Sequence, residues 1–274
     1  MASPFFTALP GRVVQAADAT IFVTEAGQGR PILFLHGLGW SHALWQREIG
    51  HFSGSYRVLA GDMRGHGRSA KPPGPYTMEA LAADWVQALD ACGVDELAVV
   101  GLSQGGMVAM LIAAQQPERV KALALLGTAC RFSDEAWAGM EERGRVARAA
   151  GPRAAAETAA RSVFSAEFAR NHPAFVEEFI ADRLAADAAG LGAAMGALKG
   201  FDVRDRLGAV TCPTLILHGT EDRVIGAQNA SEIAEQIAGS ELHLVEGAGH
   251  ILPVERPEAV ERHLTAFLGA RYPA

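Results

Sequence analysis

Residues 97–116 read LAVVGLSQGGMVAMLIAAQQ, and no other stretch restricts the fold as tightly. The short apolar run LAVV suits a strand covered on both faces. Gly101-Leu102-Ser103-Gln104-Gly105-Gly106 follows at once and leads directly into a helical pattern. A strand that turns without pause into a helix is half of a βαβ unit, and such units assemble into a mostly parallel sheet by right-handed crossovers.

The rest of the chain keeps this rhythm. Short apolar runs at 31–35, 57–60, 120–126, 214–217 and 242–245 predict further strands, and 12–16 with 20–25 predict an early pair joined by a turn at 17–19. Helical patterns occupy 41–51, 77–92, 104–116, 227–238 and 257–268. Pro257 is well placed in a first helical turn. Between about 131 and 200 no strand is evident, only Ala-rich, mixed-charge helical segments. That block is too long for an ordinary loop. The expected organisation is an α/β core built from residues 1–130 and 201–274, with a helical cap inserted at 131–200, over the C-terminal edge of the sheet.

Composition excludes several functions. A chain of 274 residues with 49% apolar residues can bury a full core, which argues against disorder. A net charge of −7 without basic runs argues against a nucleic-acid partner. No apolar run reaches the roughly 20 residues of a membrane helix, so no membrane partner is expected. The N-terminus lacks the pattern of a secretory signal, and a cytoplasmic location is the default expectation. Cys92, Cys130 and Cys212 are too widely spaced for a CxxC motif. There is no H-x-x-x-H pair and no Lys-Ser/Thr after the glycines, so neither a metal nor a phosphate-bearing cofactor is expected.

Gly101-x-Ser103-x-Gly105 sits in the strand-to-helix context of a nucleophile turn, where glycines relieve crowding around a projecting serine. A serine hydroxyl is a weak nucleophile at neutral pH and needs a base. Of nine histidines, His42, His51, His172 and His263 lie in helical or surface patterns and are expected to be solvated. His243 lies in a strand pattern, and His36 and His218 end strands in His-Gly pairs that suit turn-fixing roles. His250 follows the last strand through Glu246-Gly247-Ala248-Gly249, a loop able to return its ring to the C-terminal edge of the sheet. Asp222, on the loop after strand 214–217, is the candidate acid, with Glu221 its nearest competitor.

These residues, in the order Ser103, Asp222, His250, resemble the α/β-hydrolase superfamily. The resemblance covers nearly the whole chain through Phe34-Leu35-His36-Gly37-Leu38-Gly39, the loop 61–69 (GDMRGHGRS), the serine turn, His218-Gly219-x-x-Asp222 and Gly249-His250. It implies an oxyanion hole from the backbone N–H groups of Leu38 and Gln104, with His36, Asp62, Arg64 and His66 bracing nearby loops. The stretches DMRGHGRSAKPPGPYT and LGLSQGGMVAM resemble 3-oxoadipate enol-lactonases and related carboxylesterases. Ser103 disfavours the dehalogenase and epoxide-hydrolase branches, which use Asp at that place. The implied activity is cleavage of a small-molecule carboxylic ester or lactone through an acyl-enzyme. C–C hydrolysis of ring-cleavage dienoates, perhydrolase or haloperoxidase-like chemistry, and a non-enzymatic ligand receptor are the alternatives. Trp40 and Trp45 after the oxyanion loop, and Phe132, Trp137, Phe164 and Phe168 in the expected cap, are candidate pocket aromatics. Arg131 is the candidate partner for a substrate carboxylate.

Overall fold

The computed structural model describes residues 4–16 and 18–274. The expected turn at 17–19 falls partly outside them, at Ala17. The described strands are β1 (Arg12–Gln15), β2 (Thr20–Ala26), β3 (Pro31–Leu35), β4 (Arg57–Asp62), β5 (Leu97–Leu102), β6 (Val120–Leu126), β7 (Thr214–Gly219) and β8 (Glu241–Val245). They form one sheet in the order β1-β2-β4-β3-β5-β6-β7-β8. β2 is antiparallel to both neighbours, and all the other pairings are parallel. The winding reverses between β3 and β5, the place where open α/β sheets bind ligands beyond their strand ends.

Alternation along the strands puts a core on each face. Leu33, Leu35 and Val99 pack on one side with Trp85 and Leu89 of α2 (Met78–Ala91) and with Met107 and Leu111 of α3 (Gln104–Gln115). Ile32, Phe34 and Val100 pack on the other with Ile49 of α1 (Gln46–Phe52). Helix α3 is buried continuously from Gln104 to Ala113. A helix apolar all round in this way belongs at the centre of a core.

The insertion after β6 contains α4 (Asp134–Ala149), α5 (Pro152–Val163), α6 (Ala166–Asn171), α7 (Pro173–Ala185) and α8 (Ala188–Gly196). Local chemistry divides it: Ser133, Ser165 and Asp187 cap α4, α6 and α8, and Pro152 and Pro173 open α5 and α7. The insertion enters and leaves at one neck. There Phe132 N–H donates to the Phe201 carbonyl at 2.7 Å and Val203 N–H to that of Cys130 at 2.9 Å. Its underside, through Ala160, Phe164 and Phe179, joins the core that includes Phe34 and Trp45. After the neck the chain completes the core with α9 (Gln228–Gln236), α10 (Leu252–Glu255) and α11 (Pro257–Arg271).

Three expectations change. The segment expected as one helix at 41–51 is a 3-10 turn, His42–Trp45, followed by α1. That tighter turn drives His42 inward: it is buried, and its Nδ1–H donates to Asp62 Oδ1 at 2.8 Å, so it is not a solvated histidine. Trp45 likewise is core, fully buried against Phe34 with 5.1 Å between ring centres. Among the described residues no helix is long and apolar enough to cross a membrane.

Candidate active site

β5 delivers Ser103 at the sheet's C-terminal edge with φ 55° and ψ −120°, the only described non-glycine residue with positive φ. Such a backbone costs on the order of 1–3 kcal/mol and persists only where the surroundings dictate it. They do so here by crowding: a Cβ on Gly101 would strike the Gly105 carbonyl, and one on Gly105 the Leu35 carbonyl. Ser103 N–H donates to the Leu126 carbonyl at 2.9 Å, and Thr128 Oγ1 donates to the Ser103 carbonyl at 2.7 Å.

The loops after β7 and β8 bring two further groups to the serine. Asp222 Oδ1 accepts the N–H groups of Val224 and Ile225 at 2.8 and 2.9 Å, which fixes the carboxylate plane. Its Oδ2 accepts from His250 Nδ1–H at 2.7 Å. Because an ionised carboxylate only accepts, that contact assigns the proton to Nδ1 and leaves Nε2 as the acceptor. His250 Nε2 lies 2.9 Å from Ser103 Oγ, ready to receive its hydroxyl proton. Burial pushes the Asp222 carboxyl up, but the His250 and His218 rings and the Ile225 amide outweigh it and hold the group below the usual carboxylate range. Glu221, the competing acid, is exposed.

His218 does not reach the serine. Its Nε2–H donates to the Ile225 carbonyl at 2.7 Å, bracing the turn that carries Asp222. His36 and His66 similarly brace the loop after β3. His36 Nδ1–H donates to the Gly37 carbonyl at 2.8 Å while Nε2 accepts Met63 N–H at 3.0 Å. His66 Nε2 accepts Gly39 N–H at 2.9 Å. Burial is the main cause that pulls these two rings down, to about 4 for His36 and about 3 for His66, so both stay neutral. Between these anchors Leu38 N–H is left unengaged among the described residues, as is Gln104 N–H at the first position of α3, where a helix offers no internal acceptor.

A second clamp holds the histidine loop. Buried Glu255 accepts both Gly249 N–H, at 3.1 Å, and Ser165 N–H, at 2.9 Å, on the same oxygen. His250 N–H donates to the Val163 carbonyl at 2.9 Å. The candidate base is thus tied to the insertion. No motif announced Glu255; only its two backbone partners do.

Ser103, Gln104 and His250 open on a cavity of about 220 Å³. Leu38, Trp40 and Phe132 line it together with Met140, Phe179, Arg183 and Met195 from the insertion. Trp137 does not: it is half-buried on α4 against the sheet-face core, and Met140, three residues on, turns to the cavity in its place. Phe164 and Phe168 pack inside the insertion, 5.2 Å apart. Arg131 also stands elsewhere. Its backbone bridges to Asp202 at the neck, and its Nε donates to Glu232 Oε1 at 2.8 Å, so it faces α9. The cation that does line the cavity is Arg183, on α7. Nothing in the sequence separates it from Arg148, Arg153, Arg161 and Arg170 of the same insertion. Among the described residues no group of three or more His, Cys, Asp or Glu side chains is placed to hold a metal ion.

A mostly parallel sheet wound in this order, with a serine on the sharp turn after β5, defines an α/β-hydrolase architecture. The family model for the alpha/beta hydrolase fold matches residues 30–257, and the chain belongs to that family. Among curated relatives, 3-oxoadipate enol-lactonase 2 of Acinetobacter baylyi is 31% identical over 256 residues, 92% of this chain and 94% of that protein. The 2-hydroxymuconate semialdehyde hydrolase of Pseudomonas putida is 31% identical over 270 residues, 94% of each. Among solved structures, the enol-lactonase from Burkholderia xenovorans superposes with a TM-score of 0.87 at 27% identity, covering 94% of this chain and 99% of that one.

Proposed function

We propose that this hydrolase cleaves a carboxylic ester or lactone through an acyl-enzyme on Ser103. The observation that carries the reading is the unbroken Asp222–His250–Ser103 hydrogen-bond chain opening into a small apolar cavity. His250 Nε2 takes the serine proton as Oγ bonds to the substrate carbonyl carbon. The unengaged N–H groups of Leu38 and Gln104 receive the oxyanion, supported by the positive end of α3. His250 then gives its proton to the leaving alkoxide as the C–O bond breaks. Asp222 fixes the tautomer throughout and stabilises the imidazolium. A water, deprotonated by His250, attacks the acyl-enzyme, and the proton returns to Ser103 as the acid leaves. Likeness to enol-lactonases supports the ester or lactone.

Likeness to the semialdehyde hydrolase keeps a second reading, cleavage of a C–C bond next to a carbonyl. It requires a substrate that first ketonises, whereas an ester requires only nucleophilic attack. A fluorophosphonate should add one adduct to the intact mass, abolished by Ser103→Ala, and short p-nitrophenyl esters should be turned over. Labelling that survives the substitution would remove Ser103 as nucleophile. Turnover of dienoate ketones with inert esters would favour the second reading.

A further inference from the structure

Trp40 stands between two cavities. The inner one holds Ser103, and an outer one of about 430 Å³ lies beyond it. Gly39, Trp40 and Leu191 line both, so these three residues form the wall between them. Glycine brings no side chain to that wall, and the indole, only 5% exposed, is its largest part. The inner cavity, about 220 Å³, is smaller than the roughly 300–1,000 Å³ of ordinary ligand pockets. The wall thus keeps the site small beside a larger space.

The indole is held in place from the outer side. Trp40 N–H donates to the Gly37 carbonyl at 3.1 Å, which ties its backbone into the turn after β3. Phe6, in an N-terminal 3-10 turn (Pro4–Phe6), stacks on the indole with 5.7 Å between ring centres and 18° between planes. Phe6 lines the outer cavity and not the inner one. It is braced in turn: its ring lies 5.2 Å from that of Phe175 on α7, and Leu9 N–H, three residues on, donates to His42 Nε2 at 3.0 Å.

His250 lines the inner cavity alone. A leaving group must lie against His250 to receive its proton, so the acyl arm takes the other direction, toward the wall. We propose that Trp40 sets the length of the acyl arm, and that Phe6 is its positioning residue, holding the indole across the way to the outer cavity. The favoured ester or lactone then has a compact acyl group. The word acyl presupposes the hydrolase reading, but the partition itself does not.

Two ester series test this in wild type, Trp40→Ala, Phe6→Ala and Phe6→Leu, with folding checked by circular dichroism. One varies the acyl arm, p-nitrophenyl butanoate against octanoate; the other varies the alcohol, ethyl against octyl acetate. Wild type should favour butanoate in kcat/KM by at least about tenfold, and Trp40→Ala should raise the octanoate-to-butanoate ratio by ~10–200-fold, mainly through KM for octanoate. Phe6→Ala, which removes a ring outside the inner cavity, should raise that ratio by a smaller factor, and Phe6→Leu should restore part of the limit. The alcohol series should keep its ranking in every variant. Octanoate cleaved as fast as butanoate by wild type, a ratio that neither alanine substitution moves, or a shift in the alcohol series instead would overturn the proposal and leave the hydrolase standing. A uniform fall for every ester in Phe6→Ala would remove Phe6 from it. Fluorophosphonates bearing an ethyl or an octyl chain on phosphorus read the same wall without turnover, through the rate of Ser103 labelling. Inert esters with octyl labelling that is slow in wild type and quickened by Trp40→Ala would uphold the wall while the ester reading falls. Inert esters with labelling that ignores chain length, or with none, sink both.

Discussion

Asp222 and Glu221 are adjacent in sequence, yet only one can serve His250. Asp222 is locked by two amide donors and the imidazole, while Glu221 is exposed. Asp222→Asn should lower kcat by up to ~10⁴-fold with the fold intact, because the amide favours the wrong imidazole tautomer. Glu221→Gln should leave rates within a few-fold; the reverse ranking, read by steady-state kinetics on folded protein, would reassign the acid. The cavity allows an equally local test. Phe179→Ala or Met140→Ala should change the ranking of acyl chain lengths by up to ~10–200-fold, whereas Trp137→Ala should not. At this scale the sequence singled out three residues by local context, a serine between glycines, an aspartate past a strand end and a histidine after Gly249, and the fold brings their side chains within hydrogen-bond reach. The sequence hid those defined by direction. Arg183 and Arg131 are the same residue type within one insertion, and only packing shows which one points at the cavity.

The alternation of strands and helices was legible because burial on both faces writes itself as short apolar runs. Misjudged boundaries had physical causes. Residues 41–51 carry helical periodicity, but Ser41 accepts from Ala43 N–H and starts a 3-10 turn, which rotated His42 into the core. The four-residue α10, which presents Glu255, is too short to show a helical period in the sequence. That presentation is testable. Glu255→Ala strands the amides of Gly249 and Ser165 in a buried place, which costs about 1–3 kcal/mol each. Thermal unfolding should register the loss, and fluorophosphonate labelling of Ser103 should slow as the histidine loop loosens. Labelling at the wild-type rate in a folded variant would show that the β8 loop holds His250 without the clamp.

Over the whole molecule, buried titratable groups shape stability against pH. His36 and His66 are held neutral, at about 4 and about 3 against an ordinary 6.5, so the unfolded chain binds more protons as pH falls below 6.5. Stability should therefore drop from about pH 6.5 down to about pH 3–4, by an amount on the order of a few kcal/mol. Glu48 acts in the opposite direction. Both its oxygens are buried without a hydrogen-bond partner, and burial lifts its pKa from 4.5 to about 8. The unfolded chain releases that proton first, so stability is lost between those values as pH rises. Two rings outweigh one carboxyl below 6.5, and Glu48 goes on acting up to about 8, so these three groups together place a maximum near pH 6–7. Chemical denaturation across pH 4–9 should show it, with Glu48→Gln flattening the alkaline limb and His66→Gln the acidic one. A monotonic profile, or limbs that ignore these substitutions, would contradict this assignment.

The neck between Cys130 and Val203 carries a consequence for how such a chain changes over generations. Two backbone hydrogen bonds close the insertion at its root, so the sheet does not register how many residues lie beyond them. Ser103, Asp222 and His250 all belong to the part left behind. The roof is therefore an exchangeable piece, free to lengthen, shorten or be swapped for another, provided that two conditions are met. The replacement must offer large side chains where Phe164 and Phe179 join the core that includes Phe34 and Trp45, and a carbonyl where that of Val163 holds the His250 amide. Selection can thus redesign what lies over the sheet edge while the three residues beneath it are inherited unchanged.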